Sequence, residues 1–256
     1  ADWDGTVGIR GPGGLQAEIP IRPGRCACAA IAELRIRAPG FHRFEAALAG
    51  RRFASPAVLC RPGPGRRLFW GDPHVHTVLS DCIAERCRSV RLAFAAGRHL
   101  SLLDWLGAAD HVSNRRCTLG KWKEQTAAAE LANDPPHFVT LPAYEASLQG
   151  GAGGDVNAYM RRFPGMFIDE FESGNAKTLA DKLAAVLGEG NVFVVPHHTT
   201  RTGKHGEISE AIYPGPELMP VVEIHSKWGT SESRGNPTPL QKIHPGPSYA
   251  TDLLGQ

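Results

Sequence analysis

The sequence predicts an α/β domain preceded by a small β-rich segment, and three observations lead there. Beyond residue 67, apolar runs of strand length alternate with longer amphipathic stretches, the order that builds parallel strands joined by crossover helices. Several of those apolar runs end in His, Asp or Glu, as they do when the carboxyl ends of strands in one sheet or barrel share a site. Before residue 67, Gly and Pro are frequent, and short stretches alternate apolar and polar residues like half-buried strands.

Taken in order, residues 14–21 and 31–37 alternate in the first segment. Cys26-Ala27-Cys28 lies there without further thiol or imidazole partners nearby and reads as structural. Arg61-Pro62-Gly63-Pro64-Gly65-Arg66-Arg67 is a turn-rich linker. The division is therefore 1–66, β-rich, and 67–256, the α/β domain. In the second part, Leu68-Phe69-Trp70 leads into a strand, and residues 84–100 spread apolar positions as a helix does. Residues 102–109 form the next apolar run. The Ala- and Glu-rich stretch 118–133 predicts a helix that stops at Asn133-Asp134-Pro135-Pro136, where proline removes a donor and blocks the turn. Residues 138–144 and 192–196 predict strands, and 178–187 predicts a helix closed by Gly188.

Composition excludes several classes. A hydrophobic share of 42% and a charged share of 21% are those of a globular domain, not of a disordered tail. The formal net charge of +2 sets up no field that favours nucleic acid or an anionic membrane. No apolar run approaches the ~18 residues that span a bilayer. Ala1-Asp2-Trp3-Asp4 does not read as a signal peptide, and the six cysteines contain no Cys-x-x-Cys pair. Compartment stays open between cytoplasm and export, and oligomeric state is not readable.

The chemistry begins at Gly71-Asp72-Pro73-His74-Val75-His76-Thr77, four residues before Asp81. Side chains one residue apart on a strand share a face, so His74 and His76 point the same way. Neutral imidazole is the commonest protein metal ligand. Downstream runs end in Asp110-His111, in Glu145 and in His197-His198, and Asp155 and Asn157 stand at the start of Ala158-Tyr159-Met160. Together they predict a metal site. Arg115, Arg116, Arg201 and Lys227 follow these strand ends and are candidate phosphate grips. Glu223 sits inside Val221-Val222-Glu223-Ile224, either as a ligand or as a group that orients one.

His-x-His-Thr-x-x-Ser-Asp from His74 to Asp81, then Asp110-His111, Glu145 and Pro196-His197, resembles the PHP (polymerase and histidinol phosphatase) superfamily of metal-dependent phosphoesterases. The segments Phe138–Glu145, Pro196–Thr199 and Val222–Glu232 resemble one bacterial, PHP-like branch of unknown function, over about residues 68–240. The resemblance implies a distorted (β/α) barrel. It implies His74 and His76 on one divalent ion, Glu145 as a bridge, His197 on a second ion, and Asp81 with His111 on a third. His74, His76, Glu145 and His197 would carry catalysis. Asp155 stands where the branch commonly has His, and its harder oxygen favours Mn, Fe or Mg over Zn. The closing Asp-x-His of PHP proteins is not found after His225, so the expected barrel is incomplete at its C-terminal end. The expectation is a hydrolase using two or three Zn, Mn or Fe ions on a small phosphoester. The alternatives are a metal-dependent hydrolase of a non-phosphate bond and a non-catalytic metal-binding module.

Overall fold

Among the described residues of the first unit of the chain, Ala1–Leu68, short extended stretches form strands. The computed structural model describes residues 5–21, 36–61, 68–80, 89–112, 118–148, 154–197, 199, 211–226 and 229–233. Among these residues the first unit has six strands: β1 (Gly5–Arg10), β2 (Gln16–Ile21), β3 (Gly40–His42), β4 (Glu45–Leu48), β5 (Arg51–Ala54) and β6 (Val58–Cys60). They make an antiparallel sheet in the order β2-β1-β4-β5 and a separate β3-β6 pair. β1 and β2 turn through Gly13 and Gly14, both at positive φ, which glycine adopts without a steric penalty. Most of the expected strand at 31–37 lies outside the described residues.

The second unit, Phe69–Gln256, carries the remaining elements. In order they are β7 (Gly71–Val75), α1 (Val90–His99), β8 (Trp105–Ala108), β9 (His111–Val112), α2 (Leu119–Ala132), β10 (Val139–Leu141), β11 (Ala143–Ser147), β12 (Asp155–Met160), α3 (Glu170–Ser173), α4 (Ala176–Leu187), β13 (Val192–His197), β14 (His225–Ser226) and β15 (Gly229–Thr230). Short polar side chains start the longer helices. Ser89 accepts from Leu92 N, Thr118 accepts from Lys121 N, and Asn175 forms a reciprocal box with Thr178. Each satisfies an orphan N–H of a first turn.

β7, β8 and β10 run parallel, in the order β10-β8-β7. β11 pairs parallel with β9, at the same offset that β10 keeps against β8. The two ladders are thus one strand pair interrupted near Pro142, which has no N–H to donate. Buried Gln125 of α2 spans the gap by donating to Ala108 O and to Ala143 O. Gly107 lets β8 lie close to β7, since a Cβ there would meet Pro73 O at 2.8 Å.

The expected (β/α) barrel is not what forms. Among the described residues the strands make separate small sheets and do not close. β12 enters antiparallel to both β11 and β13, giving a mixed sheet in the order β13-β12-β11-β9. The cause is chain length. Only residues 148–154 separate β11 from β12, whereas a parallel crossover takes a dozen residues or more.

Alternation along this mixed sheet divides its residues between core and site. Tyr144, Ala146, Val156, Ala158, Met160, Val192 and Val194 are buried in one cluster with Leu179, Ala180 and Leu183 of α4 and with Trp122 of α2. Burial of each larger side chain stabilises the fold by roughly 1.5–3 kcal/mol. The other parity puts Glu145, Ser147, Asp155, Asn157 and His197 on the opposite face. Among the described residues, no helix is long and apolar enough to cross a membrane.

Candidate metal centre

Backbone register brings the polar residues together before any side-chain contact is considered. Glu145 lies opposite His111 on one side and Asn157 on the other, and Asp155 lies between Ser147 and His197. β7 adds His74 and directs the chain to His76. The turn after His76 is pinned by Asp110, which accepts from Thr77 N at 2.6 Å and from Thr77 Oγ1 at 2.8 Å. Ser80 completes the turn: its Oγ accepts from His111 N at 2.7 Å and lies 2.8 Å from His76 Nδ1.

Three imidazoles converge on one carboxylate oxygen. His74 Nε2, His76 Nε2 and His111 Nδ1 stand 3.3, 3.1 and 3.1 Å from Glu145 Oε2. His74 Nε2 is 2.9 Å from His76 Nε2. A second carboxylate, Glu223, joins two histidines: Oε2 is 2.8 Å from His74 Nδ1, and Oε1 is 2.8 Å from His197 Nδ1. Glu223 is held beside β13 because its N–H donates to Pro196 O at 3.1 Å.

Among the described residues two groups could hold a metal ion, His74 with His76 and Glu145, and His74 with His197 and Glu223. In each, the ligand atoms all lie within 4.8 Å of one another. The donor set fits. Two ligands about 2.0–2.1 Å from a tetrahedral zinc stand about 3.3 Å apart, close to the spacings around Glu145 Oε2. Imidazole with carboxylate also suits manganese and iron, so the donors do not single out one ion.

Electrostatics follow from packing opposite charges out of water. Burial alone would raise Glu145, but hydrogen bonds from His74 and His76 hold it well below the usual carboxylate range. Burial alone would lower His74, yet Glu145 and Glu223 together push it up to about 10 from 6.5. Burial opposes ionisation of Glu223 too, but His197 and His74 bring it down to about 2 from 4.5. His111 is lowered, first by burial.

A pH dependence with a definite sign results. Without metal, the His74 contribution to stability is fully present below pH 6.5 and is lost as pH rises through about 10. That of Glu223 is present above pH 4.5 and lost as pH falls through about 2. Metal entry must displace the proton on His74 Nε2. Apparent metal affinity should therefore rise with pH, by up to about tenfold per unit while one proton is displaced. Competition against a chromophoric chelator between about pH 6 and 9 measures this. A flat profile would mean that no proton leaves His74.

The expected ligands His74, His76, His111, Glu145 and His197 all lie in this cluster. Asp155 is buried on the same face but belongs to neither metal-capable group. Asp81, Arg115, Arg116, Arg201 and Lys227 lie outside the described residues. Asn157, read in the sequence as an amide beside Asp155 without a specific role, shares that residue's face. Its Nδ2 lies 3.0 Å from His74 Nδ1 and 3.5 Å from Glu223 Oε2.

Comparison of the chain with protein-family models, with curated proteins and with solved structures gives no match. The likeness to PHP proteins rests on the motif residues themselves.

Proposed function

We propose that the second unit is a metal-dependent hydrolase of PHP-like chemistry, acting on a small phosphoester. One observation carries the reading: His74 and His76 of one segment gather with His111 and His197 of two others around the carboxylates of Glu145 and Glu223. Buried carboxylates need positive charge beside them, which protonated imidazole supplies without metal and a divalent cation could supply in its place. His74, His76 and Glu145 would hold one ion, and His197 would serve a second, with the Glu223 carboxylate beside both His74 and His197. A bound divalent cation supplies Lewis acidity, acidifying water and offsetting charge that develops on a phosphoryl oxygen.

The side chains do the rest. Glu145 stays ionised while buried, so it keeps a negative charge where cations are needed. Ser80 at His76 Nδ1 fixes that ring with Nε2 towards Glu145. His111, kept neutral by burial, can accept a proton at Nδ1, 3.1 Å from Ser147 Oγ. The preference for phosphate comes from the motif likeness and from Arg115, Arg116, Arg201 and Lys227, which follow the ligand-bearing runs in sequence.

Purified protein should contain divalent metal, and should hydrolyse generic aryl phosphate mono- or diesters when manganese or zinc is supplied. A strong chelator should abolish turnover. Cleavage of amide or lactone panels with phosphate esters untouched would replace this reading with a non-phosphate hydrolase. Bound metal without turnover on either panel would leave a binding module.

A further inference from the structure

We infer that Glu223 and Asn157 form a positioning pair for His74: Glu223 accepts the hydrogen bond that His74 Nδ1–H donates, and Asn157 holds the Glu223 carboxylate in place. This rests on the metal reading only for what His74 does next.

The geometry points there in three ways. First, His74 uses its two nitrogens on different partners. Nδ1 faces Glu223 Oε2 at 2.8 Å, while Nε2 faces His76 and Glu145 at 2.9 and 3.3 Å. An imidazole that binds a cation through Nε2 must carry its remaining proton on Nδ1, and a carboxylate is the strongest acceptor for it. Second, Asn157 is fully buried, and its Nδ2 approaches both His74 Nδ1 and Glu223 Oε2. With Nδ1 protonated, the amide cannot donate to His74, so its N–H is left to Glu223. Third, the backbone around Glu223 is tied down on both sides. Its N–H donates to Pro196 O, next to His197, and Ile224 O accepts from Ser231 N and from Thr230 Oγ1. A carboxylate on so constrained a segment can fix the plane of a ring, not merely screen a charge.

The pair also explains why Glu223 has one oxygen on each histidine. Oε2 orients His74, and Oε1 reaches His197 Nδ1 at 2.8 Å. One carboxylate thereby sets the rings that serve both candidate groups. Groups of this kind commonly tune metal affinity by 10–100-fold without being ligands themselves.

The test uses the full chain with ¹⁵N-labelled histidine. In the parent, His74 should show a downfield, slowly exchanging Nδ1–H signal both with and without metal. Glu223→Gln should lose that signal and weaken zinc binding by 10–100-fold, while zinc per chain at saturation stays unchanged. Glu223→Asp keeps the charge and should restore the signal at least in part, which separates positioning from a folding defect. Asn157→Ala should broaden the signal and weaken zinc binding less than Glu223→Gln does. An Nδ1–H signal untouched by Glu223→Gln would overturn the proposal. So would a fall in zinc per chain equal to that of Glu145→Gln, which would make Glu223 a ligand. The proton signal needs no metal: a parent that binds none but loses the signal in Glu223→Gln refutes the hydrolase reading and upholds the positioning pair.

Discussion

Glu145→Gln is expected to lower the metal bound at saturation by at least one ion per chain, the largest functional effect of any single substitution in the cluster. Glu145 Oε2 is the point on which His74, His76 and His111 converge. The amide keeps the shape and removes the charge, and a neutral oxygen is a much weaker partner for a divalent cation. The affinity loss should exceed the 10–100-fold typical of groups outside the ligand set. Stability of the metal-free protein should change as well. Glu145 is 1% exposed and the His74 side chain 9%, so this ion pair is shielded from water. Removing one partner of such a pair costs about 3–5 kcal/mol, because the other charge is stranded. Glu130→Gln, at an exposed position of α2, should alter neither quantity. Elemental analysis and urea unfolding read the two effects separately. A Glu145→Gln protein with the parent's metal content would remove the carboxylate from the centre of the site.

His74 and His76 are legible in the sequence because their spacing imposes a common side wherever the backbone is extended. His111, Glu145 and His197 are legible because each closes or interrupts an apolar run. What escapes is the sense of the strands. Glu145 lies in the middle of β11 rather than at its carboxyl end, and Asp155 does open β12, but β12 runs antiparallel to its neighbours. A site built at strand carboxyl ends presumes parallel strands throughout. The gap 148–154, rich in glycine and too short for a crossover, is the clue to a hairpin instead. Glu223 is visible as an acid inside an apolar run, but its choice between binding and orienting depends on where His74 Nδ1 points, which no spacing encodes. Asn157 shows a similar limit. A buried amide carries no motif, and only its register opposite Glu145 places it beside the site.

The largest effect on stability outside the ligands is expected from Asp110→Ala. Asp110 is buried, and it accepts from both the N–H and the hydroxyl of Thr77, itself fully buried. Its own chain segment carries Glu145 N on Asp110 O at 3.0 Å and leads into His111. One carboxylate therefore ties the turn after His76 to the strands that bear His111 and Glu145. Alanine leaves two buried donors without an acceptor, at about 1–3 kcal/mol for each, or roughly 2–6 kcal/mol in all. The turn would then relax towards water, taking Ser80 away from His76 Nδ1 and His111 N, so metal affinity should fall with stability. Asp110→Asn separates the contributions. Its amide oxygen still accepts from Thr77 N, and the Thr77 hydroxyl can rotate to accept from the new NH₂. Asparagine should therefore recover most of the lost stability and most of the metal affinity. Urea midpoints and zinc titrations of the parent and both variants test this ordering. Equal stability of Asp110→Ala and the parent would show that the Thr77 turn is held by something other than Asp110.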